Sequence, residues 1–395
     1  MAQPAAGALP APPAPSPSAT LPTPPPARPF EAPPRPRRLR ATRRARRLTL
    51  FFAPLILCLP LALLAGVTWG ATPVPPASGA AIIAHHLGVP LAVSWTPAQD
   101  AIVWQLRLPR VLAAALVGAA LAASGALFQG LFRNPMADPY VLGISSGAAL
   151  GATIALALPV LSLPPGVAPT ALWGAATGAG LVPLCAFLGA ALAATLVTTL
   201  ARRGNRLPIT DLLLAGFATA AVLGAATTFL LVMSDRLLLR LRTAFTWLAG
   251  GIAVGGWHQL LYAAPLILLG LVLAMALARW LDAFLLGEEG AATIGVPVEG
   301  AKTAVVAVAA LLTAAAVTLS GLIGFVGLLV PHAVRLVAGP SHARLIPAAA
   351  IVGATFLVLT DLLARTVLAP VEIPVGVLTA LIGGPVFLLL LKRAR

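Results

Sequence analysis

The sequence predicts an all-α, polytopic membrane protein with about ten transmembrane helices, and three observations carry that prediction. The chain is 59% hydrophobic and 9% charged, with a mean hydropathy of +0.97. That is too little polar surface to coat a water-soluble globule of 395 residues, whereas a lipid-facing surface needs none. Its apolar runs recur at the roughly 20 residues that a bilayer crossing requires. Its Lys and Arg residues also fall unequally on alternate loops, as they do in membrane proteins of fixed orientation.

Residues 1–47 come first and hold 14 of the 38 prolines in a run of Pro, Ala and Ser. Such a segment can neither bury apolar area nor continue a helix, so it is expected to be a disordered, Pro/Ala/Arg-rich cytoplasmic arm. Nine arginines and Glu31 in residues 28–47 give this arm +8 of the +15 net charge. Most of the basic balance is therefore a topology signal and no argument for nucleic acid. Arg43, Arg44, Arg46 and Arg47 abut the first span and hold the N-terminus inside, where a cleavable signal would instead show a short charged region and a small-residue cleavage site. An anionic-lipid or partner-binding tail is the alternative for the arm.

The transmembrane permease domain, residues 48–395, is expected to span near 48–70, 108–131, 140–159, 171–200, 211–233, 258–279, 303–320, 322–338, 346–366 and 375–391. Both termini then lie in the cytoplasm. This assignment puts 20 Lys and Arg inside and 6 outside, in line with the charge bias. Small residues recur at helix-packing spacing, with Gly118 before Ala122, Ala120 before Ser124, Gly147 before Gly151 and Gly174 before Gly178; they allow backbones to approach where lipid supplies no hydrophobic drive. Pro135, Pro139, Pro331 and Pro374 interrupt spans at their ends, which requires backbone groups satisfied by protein or water. The segment 234–256, with Arg236, Arg240, Leu237, Leu238 and Leu241, is read as an interfacial helix on the outer face. Cys58 and Cys185 match neither metal nor disulfide spacing and read as small hydrophobes.

Five segments in order carry a family resemblance: LRLPR at 106–110, SGALFQGLFRNPMADPYVLGISSGA at 124–148, LLLAG at 212–216, GFVGLLVPHAVRL at 324–336, and TDLLAR with EIPVGVLTALIGGPVF at 360–387. Together they resemble the permease subunits of ABC importers for iron-siderophores, haem and vitamin B12. The resemblance implies the type II ABC importer permease architecture in a bacterial cytoplasmic (inner) membrane. It implies a homodimer with the pathway at the interface, an ABC ATPase dimer beneath it, and a substrate-binding protein that delivers a metal chelate, an iron-siderophore first and vitamin B12 or haem as alternatives. It implies no catalytic residue, no metal site and no cofactor of the permease's own. The residues agree independently: there is no G-x-x-x-x-G-K-[ST] loop, and Lys302 and Lys392, the only lysines, follow Ala and Leu, so the chain has no phosphate cradle of the usual kind.

Three sets of site residues follow from the resemblance. The cytoplasmic interruption 281–300 matches the ATPase coupling loop, with Gly287, Glu288, Glu289, Ala291, Ala292 and Ile294 as the contacting stretch; an ordinary solvated loop is the alternative. Arg107, Arg110 and Arg365 match the positions that dock the binding protein. The charge bias disfavours arginines outside, and Arg107 and Arg110 are three apart on one helix face; headgroup snorkelling, or an Arg365 pair with Asp361, is the alternative. Asn134 resembles one cytoplasmic gate position, and Thr210, before the fifth span, the other more loosely. A turn role for Asn134 and an N-cap role for Asp211 are compatible with both. His332 is read as a structural hydrogen-bonding histidine. His85 and His86, adjacent in an outer loop, make at most a weak case for haem or iron contact. The rival class is a proton-coupled secondary transporter, for which Asp361 is the only acid well inside a predicted span.

Overall fold

A computed structural model describes residues 38–70, 72–89, 91–157, 180–233, 241–252 and 254–393. The chain divides into two units, Met1–Arg47 and Leu48–Arg395. Among the described residues every regular element is helical, apart from one isolated bridge between Arg203 and Arg206.

The helices are α1 Arg38–Thr68, α2 Pro76–His86, α3 Leu108–Leu131, α4 Ile144–Ala157, α5 Leu181–Ala201, α6 Ile209–Met233, α7 Leu241–Leu248, α8 Trp257–Phe284, α9 Glu288–Thr293, α10 Val298–Ser320, α11 Val326–Ala338, α12 His342–Thr366 and α13 Val375–Arg393. A turn at Pro97–Asp100, capped by Thr96 and Gln99, and a π-helical stretch Ala101–Arg107 lead without a break into α3. Helix α1 begins at Arg38 and so takes in residues 38–47 ahead of the first apolar run. Beyond Pro36 the sequence RLRATRRARRL contains no breaker and is rich in Arg, a good helix former.

Six helices are long and apolar enough to cross a membrane: Pro97–Leu131, Leu181–Ala201, Ile209–Met233, Trp257–Phe284, Val298–Ser320 and His342–Thr366. Four shorter apolar helices, Phe52–Thr68, Ile144–Ala157, Val326–Ala338 and Val375–Leu389, coincide with the other four expected runs. The run at 322–338 is helical only over the 13 residues of α11. At 1.5 Å per residue that is about 20 Å, short of a bilayer core. The residues before it, 321–325, are non-helical backbone at the end of α10, and protein groups satisfy it. The Tyr140 hydroxyl donates to the carbonyl of Ile323 at 2.7 Å and accepts from its N–H at 2.9 Å, and Gly251 N–H donates to Ser320 O at 2.9 Å. That meets the demand set by lipid for irregular segments. Residues 171–179 and 234–240 of the expected segments lie outside the described residues.

Helix α3 is the axis of the bundle, buried along almost its whole length and packed by α8, α10, α11 and α12. Its crossings use the predicted small residues. A Cβ on Gly118 would collide with the carbonyl oxygen of Gly353 in α12, and one on Gly125 with that of Gly327 in α11. The Ser124 hydroxyl, at the same spacing, donates to Ala309 O at 3.0 Å and lies 2.8 Å from the Thr313 hydroxyl in α10. Gly147 and Gly151 of α4 press in the same way against Gly189 and Cys185 of α5. Gln129, fully buried in α3, donates to Leu328 O of α11 at 3.0 Å.

Candidate functional site

The start of α3 and the ends of α1 and α12 meet at one end of the bundle, and bring the three predicted arginines together. Arg107, at the close of the π-helical stretch, is buried. Its guanidinium donates to Val67 O and Thr68 O at 3.0 Å each and also to Thr72 O, and so caps the carbonyls left open where α1 stops. Snorkelling therefore does not describe Arg107. Arg110, one turn on, lies within 3.0 Å of Asp361 through both Nε and Nη2, and its Nη2 is 2.9 Å from Glu372. Arg365 reaches Asp361 at 2.9 Å, one helical turn back, and donates to Gly66 O at 3.0 Å. The buried Asp361 carboxylate is thus shared by two guanidiniums, the geometry of a structural anchor. A carboxylate so held is poorly arranged as a proton carrier, which removes the one residue that favoured the secondary-transporter reading.

Arg107, Arg110, Arg365 and Glu372 line a cavity of about 830 Å³ together with Gly251, Gln259 and Pro374. Access is unequal: the side chain of Arg110 is 20% exposed and that of Glu372 54%, against 8% for Arg365. Beside it, His86 stacks on Trp104 with ring centroids 4.1 Å apart and sits 3.2 Å from Asp100. Trp257 donates to Trp104 O at 2.9 Å. The pair of histidines is thereby packed into an aromatic and carboxylate cluster, and among the described residues no group of three or more His, Cys, Asp or Glu could hold a metal ion. Sequence reasoning missed Glu372 as a partner of Arg110, because the two are 262 positions apart.

The opposite end carries the residues expected from the sequence to form the gate and the coupling loop. Asn134 follows Arg133, whose φ is +48°, and its side-chain oxygen accepts from Met136 N–H at 2.9 Å, an Asx turn at an exposed position. Burial pushes the Asp138 carboxyl upward, opposed by the hydrogen bond it accepts from Tyr140 N–H. Thr210 is exposed in the first turn of α6. Asp211 is inside that turn and no N-cap, and is paired with Arg203 at 2.5 Å.

Residues 281–300 take in the last turn of α8, a turn, the short helix α9, a second turn and the first residues of α10. Gly287, at φ +91°, is the N-cap that redirects the chain, and Glu288 and Glu289 fill the first turn of α9, where a helix favours negative charge. Ala292 and Ile294 face outward, Ile294 being 61% exposed, with Leu285 and Leu286 beside them. Ala291 is fully buried against the bundle, so the exposed apolar side chains of this stretch are Leu285, Leu286, Ala292 and Ile294. Asp282, in the same loop, accepts from His342 N–H at 2.6 Å and from the Ser341 hydroxyl at 3.0 Å, and so caps the start of α12. His332 is half-buried, and its Nδ1 has no hydrogen-bond partner.

The FecCD transport family matches residues 56–393. The chain is 44% identical over 333 residues to the cobalamin import system permease BtuC of Halobacterium salinarum, covering 83% of this chain and 84% of that protein. It is 44% identical over 305 residues to the hemin transport system permease HmuU of Yersinia pestis, covering 76% and 87%. To the Fe(3+) dicitrate transport system permease FecD of Escherichia coli it is 36% identical over 326 residues, covering 80% and 96%. Among solved structures, a chain reported in an inward-facing conformation of an ABC transporter assigned to the metal-chelate type superposes with a TM-score of 0.71 at 30% identity, over 87% of this chain and 99% of that one.

Proposed function

The chain belongs to the FecCD transport family, the ABC importer permeases for vitamin B12, haem or iron chelates, and from that premise we propose that it moves an iron-siderophore across the cytoplasmic (inner) membrane. Its own part is to form the pathway. A separate ATPase dimer supplies the energy, and a binding protein supplies the substrate. The observation that carries this is the two-ended build: a cavity edged by three arginines at one end, and at the other the short helix α9, acidic in its first turn and flanked by the exposed apolar side chains of Leu285, Leu286 and Ile294.

At the arginine end, docking of the binding protein falls to Arg110, the most accessible of the three, while Arg107 and Arg365 hold the local field positive from buried positions. A partner carboxylate reaching Arg110 replaces or joins the exposed Glu372. At the other end, Gly287, Glu288, Glu289, Ala292 and Ile294 present α9 to the ATPase, and Ala291 seats it on the permease. Asn134 and Thr210 close the pathway on that side. Exposed Leu214, Phe217, Val222 and Phe229 on α6 support a second copy of the chain as the neighbour of that helix. Both termini lie in the cytoplasm, and Arg43, Arg44, Arg46 and Arg47 fix that topology.

A tetrapyrrole, cobalamin or haem, is the second reading, favoured by the two relatives at 44% identity that are named for those substrates. Titration of the cognate binding protein with a ferric siderophore, cyanocobalamin and haemin decides between them. Sub-micromolar binding of the siderophore alone supports the first reading, and tight binding of either tetrapyrrole replaces it. The coupling role has its own test: replacing residues 288–294 by a Gly/Ser linker of equal length is expected to leave the permease inserted and uptake uncoupled from ATP hydrolysis, and normal uptake would refute it.

A further inference from the structure

Lys302, to which no sequence motif points, is a buried cation with three acceptors at the coupling end. It sits in the first turns of α10, and its side chain is 4% exposed. An ammonium has three hydrogens to place, and three acceptors surround it: Glu288 Oε2 at 2.6 Å, Glu299 Oε1 at 3.1 Å and Leu207 O at 3.3 Å. Glu299 in turn accepts from Leu207 N–H through its other oxygen at 2.6 Å. Both backbone groups of Leu207 are therefore held by the Lys302–Glu299 pair, and the same ammonium holds the first residue of α9.

Those contacts join segments with different proposed tasks. Leu207 begins the turn that carries Thr210, and Glu288 opens the helix presented to the ATPase. A small gap lined by Leu131, Arg133, Ile209, Phe284, Glu288 and Lys302 brings the other gate turn, through Arg133, against the same point. A buried ammonium cannot drop one acceptor without leaving a hydrogen unsatisfied in a site water hardly reaches. The low-energy response to a pull on α9 is for the Leu207 turn to follow.

We propose that Lys302 is the positioning residue that locks the ATPase-facing helix α9 to the gate turn at Leu207, so that the two move as one body during transport. This rests on the coupling role proposed above for residues 287–294. It is tested in the assembled importer in nanodiscs, with Cys58 and Cys185 replaced by Ser and spin labels at Thr210 and Ala343, both exposed. The distance between the labels is measured before and after trapping the ATPase with ATP and vanadate. The unaltered network is expected to give a nucleotide-dependent shift. Lys302→Met is expected to reduce the shift at least fivefold and Lys302→Arg to restore it, a rescue that loss of folding would not permit. Glu288→Gln weakens only the α9 link and leaves Glu299 and Leu207 joined to Lys302, so it decides the matter if Lys302→Met does not assemble. A full shift in Glu288→Gln or in an assembled Lys302→Met overturns the proposal. If the 288–294 linker variant also shifts fully, the coupling role itself is wrong; if only the linker variant loses the shift, the failure is confined to Lys302.

Discussion

Asp361 shows what a single acid can do inside an apolar bundle. It is fully buried and faces two guanidiniums, so removing its charge leaves Arg110 and Arg365 close together without their shared counter-ion. Asp361→Asn is expected to destabilise the permease by about 3 kcal/mol, read as a lower melting temperature in detergent, since breaking a buried pair strands the remaining charge. Arg110 and Glu372 make opposite predictions. Arg110→Gln keeps Asp361 paired with Arg365 and is expected to weaken binding-protein affinity by about tenfold, with a smaller salt dependence. Glu372→Gln removes the competing carboxylate and is expected to tighten the same interaction. If the two variants shift affinity in the same direction, Arg110 does not carry the docking. The Arg365–Asp361 pair was legible in the sequence because it is local, four residues apart on one helix. The contacts of Arg107 with the end of α1, and of Lys302 with Leu207, were not, because each depends on tertiary packing across at least 39 positions.

The helices themselves were largely readable, because lipid makes hydrophobicity and length nearly sufficient for the prediction. Every one of the ten expected runs overlaps a helix, and both the Gly118 and Gly147 spacings mark real close approaches. Where the reading failed, polar backbone decided. The apolar run 322–338 contains a non-helical entry held by Tyr140, a residue 183 positions away, and hydropathy cannot see that hydrogen bond. At the N-terminal side, α1 starts soon after the proline-rich run ends. At the α3–α12 crossing the obstacle to a larger side chain is a carbonyl oxygen, which cannot rotate aside as a side chain can. Gly118→Val is therefore expected to cost about 1–3 kcal/mol or more in thermal unfolding. The same change at Gly224, whose Cβ would meet nothing within 4 Å, is expected to be near neutral. Equal losses at both sites would show that backbone flexibility, and not the crossing, sets the cost.

Across the whole molecule, binding and energy input are assigned to opposite ends of one buried axis, α3. Arg110 lies in its first turn with Arg107 just before it, and its last turn leads into the turn of Arg133 and Asn134 beside Lys302 and α9. Family and architecture were legible from the ordered motifs. Substrate was not, since relatives named for cobalamin, hemin and Fe(3+) dicitrate all match the chain over most of its length. The central claim is that transport is driven through α9 by a partner ATPase. ATP-dependent uptake of the ligand that the binding protein selects, measured in proteoliposomes holding permease, ATPase and binding protein, tests it most directly. The predicted result is uptake that requires all three proteins, stops when the ATPase cannot hydrolyse ATP, and persists when a protonophore collapses the proton gradient. Uptake by the permease alone that follows an imposed proton gradient would contradict it.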